Sequence, residues 1–309
     1  MPDVLVHVGS MSAFVFDRRL LRDRRQRAAD LAPPTFLMER VAQDLSDRLA
    51  TVLRRFERAA DLGTPGNALC RELARSGKVD IVVATAASAA NLQARTRNDE
   101  LRSGSFLVVA DEETLPFRDA SLDLIVSGLA LQFVNDLPGV LLQARRALKP
   151  DGLLLAALAG GDTLIELRQS FAAAEAEIDS GISPRIIPFV DVRAAGALLQ
   201  RAGFALPVTD VDRVTVRYDS PIALMHDLRA MGAANPMVER SRCPLKRATL
   251  ARMLEVYAER FADPDNRIRA TFDIVWLSGW APHENQQKPL PPGSAKQRLA
   301  DALRRTDDR

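Results

Sequence analysis

LDLIVSGLALQFVNDLPGVLLQARRALKPDGLLLAAL, Leu122 to Leu158, carries a strand, a helix, a turn and a second strand in 37 residues. Leu122–Ser127 is an almost unbroken apolar run, the signature of a parallel strand buried on both faces. Residues 137–148 read as a helix. Leu148-Lys149-Pro150-Asp151-Gly152 ends it, because Pro150 cannot continue a helix and Gly152 tolerates a turn. Leu153–Leu158 is a second buried strand. Upstream, Ala59–Leu62, Val79–Ala84 and Phe106–Ala110 read as strands, with helices over 68–75 and 86–95. Four strand–helix–strand steps in about 100 residues predict an open parallel sheet with helices on both faces.

The pattern changes on either side of this block. Downstream, 162–178, 191–202, 220–231 and 247–261 read as helices. Residues 206–218 and 270–280 alternate apolar and polar, which predicts two late strands and an antiparallel edge. Upstream, FDRRLLRDRRQRAAD (16–30) reads as a basic helix, either solvated or a docking surface for phosphate or lipid. Thr35 is a candidate N-cap, and Leu37, Val41, Leu45, Leu49, Val52, Leu53 and Phe56 form one helical stripe. The expected divisions are a basic segment 1–34, a nucleotide-binding core 35–160, lid helices and closing strands 161–281, and a Pro-rich charged tail 282–309.

The 309 residues are 47% hydrophobic and 27% charged, which excludes a mostly disordered chain. A net charge of +2 and 5% aromatic residues argue against nucleic acid as the partner. Two cysteines, Cys70 and Cys243, exclude a disulfide scaffold and a four-cysteine zinc site. The apolar runs fall far short of the ~20 residues a membrane helix needs, and the N-terminus does not read as a signal peptide. The expectation is a cytoplasmic protein without a transmembrane segment. Three histidines, His7, His226 and His283, support neither a catalytic triad nor a metal site, so no catalytic residue and no metal is assigned.

Ligands of an open parallel sheet bind outside the carboxyl ends of the strands, where strand order reverses. Three loops qualify: Asp61–Asn67, Ala110–Phe117 and Ser127–Gln132. Their pattern, with "LKPDG" at 148–152, resembles the class I S-adenosylmethionine-dependent methyltransferases. "ADEETLPF" (110–117), "LALQFVNDLP" (129–138), "GGDTLIELR" (160–168), "ISPR" (182–185), "LRAMGAAN" (228–235) and "GWAPHENQQKP" (279–289) are similar to the methyltransferase-like assembly factors of respiratory complex I. Mitochondrial members of that group hydroxylate an arginine of a complex I subunit. The malonyl-carrier-protein O-methyltransferases of biotin synthesis come next. The resemblance covers roughly 14–290. It implies a doubly wound, mostly parallel, seven-stranded α/β sheet of Rossmann type, with an antiparallel edge and a helical lid.

The resemblance also implies S-adenosylmethionine as cofactor, held by Asp61, Gly63, Gly66, Thr85, Asp111, Glu112 and Ser127. Asp61 would fix the first loop, unless it only caps the next helix. Asp111 or Glu112 would accept from the adenine amine between Leu115 and Phe117. Two departures stand out. Pro65 and Asn67 occupy glycine positions of the loop, and Pro65 lacks an N–H. Thr85 stands where the family has a ribose-binding carboxylate, a contact worth ~1.5–3 kcal/mol. Weak binding follows, and an acid restored at 85 would tighten it. Above the strand ends, 162–187 and 220–262 would form a lid, in which Asp162 and Glu166 share a helix face and could read a guanidinium. Three functions remain open at this stage: arginine modification of a complex I subunit, O-methylation of an acyl-carrier-protein substrate docked on helix 18–27, and a binding module that has lost its cofactor.

Overall fold

The computed structural model describes residues 14–29, 31, 33–96, 105–179 and 181–287. His7 and the charged helix expected over 295–309 lie outside them. The chain opens with helices α1 (Arg18–Ala29) and α2 (Phe36–Thr51). An alternating core follows: β1 (Phe56–Leu62), α3 (Ala68–Ser76), β2 (Val79–Ala86), α4 (Ala89–Thr96), β3 (Ser105–Val109), β4 (Leu122–Gly128), α5 (Leu137–Ala147) and β5 (Leu148–Gly160). The last third supplies α6 (Ile165–Ile178), α7 (Val192–Arg201), β6 (Ala205–Tyr218), α8 (Pro221–Ala230), α9 (Arg247–Phe261) and β7 (Ile268–Trp280).

The strands form one seven-stranded sheet in the order β3-β2-β1-β4-β5-β7-β6. β1 to β5 pair in parallel, while β7 inserts antiparallel between β5 and β6. The order reverses between β1 and β4, so the crevice opens above Leu62 and Gly128. Side-chain alternation sorts two cores. Leu124 and Val126, Leu153 and Leu155, and Phe272, Ile274 and Trp276 face the layer that contains α2, α3, α6 and α9. Ile125, Leu154, Ala156, Val275 and Leu277 face α5 and α7.

Several expectations are corrected. Thr35 makes no side-chain cap bond. α2 stops at Thr51, so Val52, Leu53 and Phe56 do not continue its stripe: Leu53 is 100% exposed and Phe56 opens β1. The turn read at 148–152 lies inside β5, whose path bends where Asp151 takes φ +62°. Within the regions expected as a lid, α6 and α9 pack on the sheet face. Phe171 of α6 and Met253 and Tyr257 of α9 are buried in the core against the sheet face. A separate small cluster joins Phe16 and Leu21, Phe133 from the segment after β4, and Ile187 and Met237 from within the two regions expected as a lid. Among the described residues no helix is long and apolar enough to cross a membrane.

Candidate functional site

The loop after β1 turns sharply because Gly63 takes φ +66°, a conformation costly for residues with a Cβ. The buried Asp61 carboxylate accepts from the Thr64 hydroxyl and from Cys70 Sγ at 3.3 Å. Gly128 N–H donates to Thr64 Oγ at 2.8 Å, and Ser127 Oγ donates to the Leu62 carbonyl at 2.8 Å. Thr85 Oγ donates to the Asp61 carbonyl and accepts from Gly63 N–H, both at 3.2 Å. These bonds tie the ends of β1, β2 and β4 together. Gly66 stands apart: it is exposed, and a Cβ there would meet nothing within 4 Å.

The acidic turn after β3 enters the same place. A Cβ on Gly63 would stand 2.5 Å from Glu112 Cγ, so the Glu112 side chain lies directly over the glycine. Glu112 is 1% exposed. Its carboxylate receives Arg25 Nη1 at 2.8 Å and Arg18 Nη2. Arg18 Nη2 also donates to Asp111 Oδ1 at 2.7 Å, Arg18 Nη1 to the Phe133 carbonyl at 3.1 Å, and Arg22 Nη1 to Asp111 Oδ2 at 3.2 Å. The Arg25 guanidinium sits 5.3 Å from the centroid of the Phe133 ring, within cation–π range. Burial alone would raise the Glu112 carboxyl, but Arg25 and Arg18 outweigh it and hold it below the usual carboxylate range. At Asp111 burial is likewise overcome, by the Glu113 N–H and by Arg18 and Arg22. For Arg18 burial works against the charge, and Glu112 and Asp111 more than restore it.

The sequence places 61–67, 85, 110–117 and 127–132 at one crevice; 61–64, 85, 112 and 127 meet there, Asp111 is tied in through Arg18, and Gly66 is exposed. Sequence reading missed the arginines. Their signal was present: Arg18, Arg22 and Arg25 recur at helical spacing on one face of α1, opposite three consecutive acids, 111 to 113. Helix 18–27 is therefore not wholly solvated: Arg18, Arg22 and Arg25 face the chain's own acids, while Arg19 and Arg27 are exposed. The pair expected to read a guanidinium also separates. Glu166 is buried and accepts from Thr271 N–H at 3.0 Å and from the Thr271 hydroxyl. Asp162 pairs instead with Arg213 at 2.6 Å. His226 and His283 are exposed, away from the crevice network.

With α1 seated, an adenosyl group has no room over Gly63. Asp61, Thr85 and Ser127 spend their polar atoms on internal bonds, and Glu112 covers Gly63. The cavity beside α1, walled by Phe16, Leu131, Gln132 and Val190, measures about 150 Å³. None of the candidate cofactor residues lines that cavity.

Residues 60–156 match the family described as "Methyltransferase domain". The chain is 37% identical over 290 residues to a protein named arginine-hydroxylase NDUFAF5, mitochondrial, from Danio rerio, covering 93% of this chain and 89% of the relative. The Homo sapiens protein of that name is 38% identical, covering 91% and 81%. A malonyl-[acyl-carrier protein] O-methyltransferase from Laribacter hongkongensis is 34% identical, covering 91% and 95%. Among solved structures, the YcgJ protein of Bacillus subtilis superposes with a TM-score of 0.54 at 15% identity, over 78% of this chain and 99% of that one. That likeness shows the fold alone. The identity to NDUFAF5 extends over nearly the whole chain, and the chain belongs to the NDUFAF5 family of methyltransferase-fold enzymes.

Proposed function

We propose that this protein modifies an arginine of a complex I subunit during assembly of the respiratory complex, in the cytoplasm. The observation that carries the reading is the 37% identity over nearly the whole chain to an arginine-hydroxylase. S-adenosylmethionine is the cofactor that the methyltransferase domain brings into this reading, at the crevice of Asp61, Gly63, Thr85, Asp111, Glu112 and Ser127. Methyl transfer needs alignment and exclusion of water more than acid–base groups, and Asp61, Gly63, Thr85, Glu112 and Ser127 are buried. No chemical step is assigned to a residue. The carrier-protein alternative loses its docking argument, because Arg18, Arg22 and Arg25 face the chain's own carboxylates.

The test compares peptides of complex I subunits from cells with and without the gene. An arginine heavier by one oxygen or one methylene only when the gene is present is the expected result. The filled crevice favours a second reading, a partner-binding module without a cofactor. Loss of complex I assembly with no arginine changing mass would support that module and end the enzymatic reading.

A further inference from the structure

The crevice is filled by α1, and the way it is filled is specific. Two guanidiniums converge on one buried carboxylate, and that carboxylate covers Gly63, where the loop should approach a ligand. Arg18 and Arg25 stand seven residues apart on one face of α1, and each side chain is only 12% exposed. Between them Leu21 is 1% exposed in the cluster with Phe133 and Ile187. The far side of α1 rests on the segment after α8. Asp17 N–H donates to the Pro236 carbonyl at 2.8 Å, and Gly232, with φ +70°, lets the Arg25 backbone approach. α1 is thus a cover held at the sheet ends by these ion pairs and by the buried Leu21.

Resting on the reading of the crevice as a nucleoside site, we propose that α1 is an autoinhibitory plug, whose Arg18 and Arg25 pin Glu112 over Gly63 and exclude the adenosyl ligand until the helix lifts. The physics is competition. A ligand that needs the open state binds more weakly by the fraction of molecules that are open. Removing the guanidiniums leaves the Glu112 carboxylate buried and unpaired, which drives it toward water and clears Gly63. No bond is made or broken in this step.

The experiment is calorimetric titration of S-adenosylhomocysteine into the full chain and into its Arg18→Ala/Arg25→Ala variant. Folding of the variant is checked by its unfolding transition. Hydrogen exchange of α1 amides is followed in the wild type with and without the nucleoside. The proposal expects binding at least tenfold tighter in the variant, and faster exchange in α1 when the wild type is saturated. If the alanine variant does not fold, Arg18→Lys/Arg25→Lys keeps the charge but loses the planar fork that spans two carboxylates. A smaller tightening is then expected. Equal affinity in wild type and variant overturns the plug and leaves the nucleoside reading intact. Binding by neither overturns the plug together with the nucleoside reading, while the arginine mass comparison still decides the substrate.

Discussion

Glu112 anchors the crevice because a carboxylate taken out of water needs a full set of donors, and Arg18 and Arg25 supply them. Glu112→Gln leaves two half-satisfied guanidiniums against a neutral amide. The expected loss is about 3 kcal/mol of unfolding free energy, read from urea denaturation; a change below about 1 kcal/mol would contradict the geometry. Thr85 makes a sharper case. Read from sequence, an aspartate there should tighten nucleotide binding. In the structure the Thr85 hydroxyl must donate to the Asp61 carbonyl, and a carboxylate cannot donate. Thr85→Asp is expected to cost about 2 kcal/mol and to give no tighter nucleotide binding, whereas Thr85→Ser keeps the bond and most of the stability. Thermal unfolding and calorimetry of the two variants separate these outcomes.

Elements were legible wherever burial and periodicity agree. The β-branched run at 79–84 became β2 and the alternation at 206–218 became β6. Boundaries failed where a competing contact took over. The stripe of α2 breaks after Thr51 because Phe56 is drawn into the sheet beside Val79. The pair Leu49 and Leu53 tests this. Leu49→Ala empties a fully buried site and is expected to cost 2–5 kcal/mol, while Leu53→Ala changes stability by about 0.5 kcal/mol or less. Chemical denaturation of the two variants, side by side, checks the helix end.

For the whole molecule, acid should act first on the cover. Asp111 and Glu112 have folded pKa values below their unfolded ones, so their stabilisation is complete above the unfolded value, near pH 4. It drains away as pH falls through the lowered folded values. Asp273, held low chiefly by its bonds from Arg213, follows the same sign at the β6–β7 seam. Pulse-labelled hydrogen exchange on stepping from pH 6 to pH 3 should therefore expose α1 amides before those of β4 and β5. Simultaneous exposure would mean that α1 is not held by these charges. Of the four strand–helix–strand steps read from sequence, three carry a helix and the passage from β3 to β4 does not, yet the parallel strands assemble around one order reversal, and that reversal is why 61–64, 85, 112 and 127 meet.

Local chemistry written along the chain determined the sheet, its helices and the loops that meet at the strand ends, because periodicity, Gly and Pro act over a few residues. The tertiary structure alone decided what stands in the crevice. Arg18 and Glu112 are 94 positions apart, and no local rule couples them. Only the folded chain brings them together, where the cost of burying a charge makes each the other's obligatory partner.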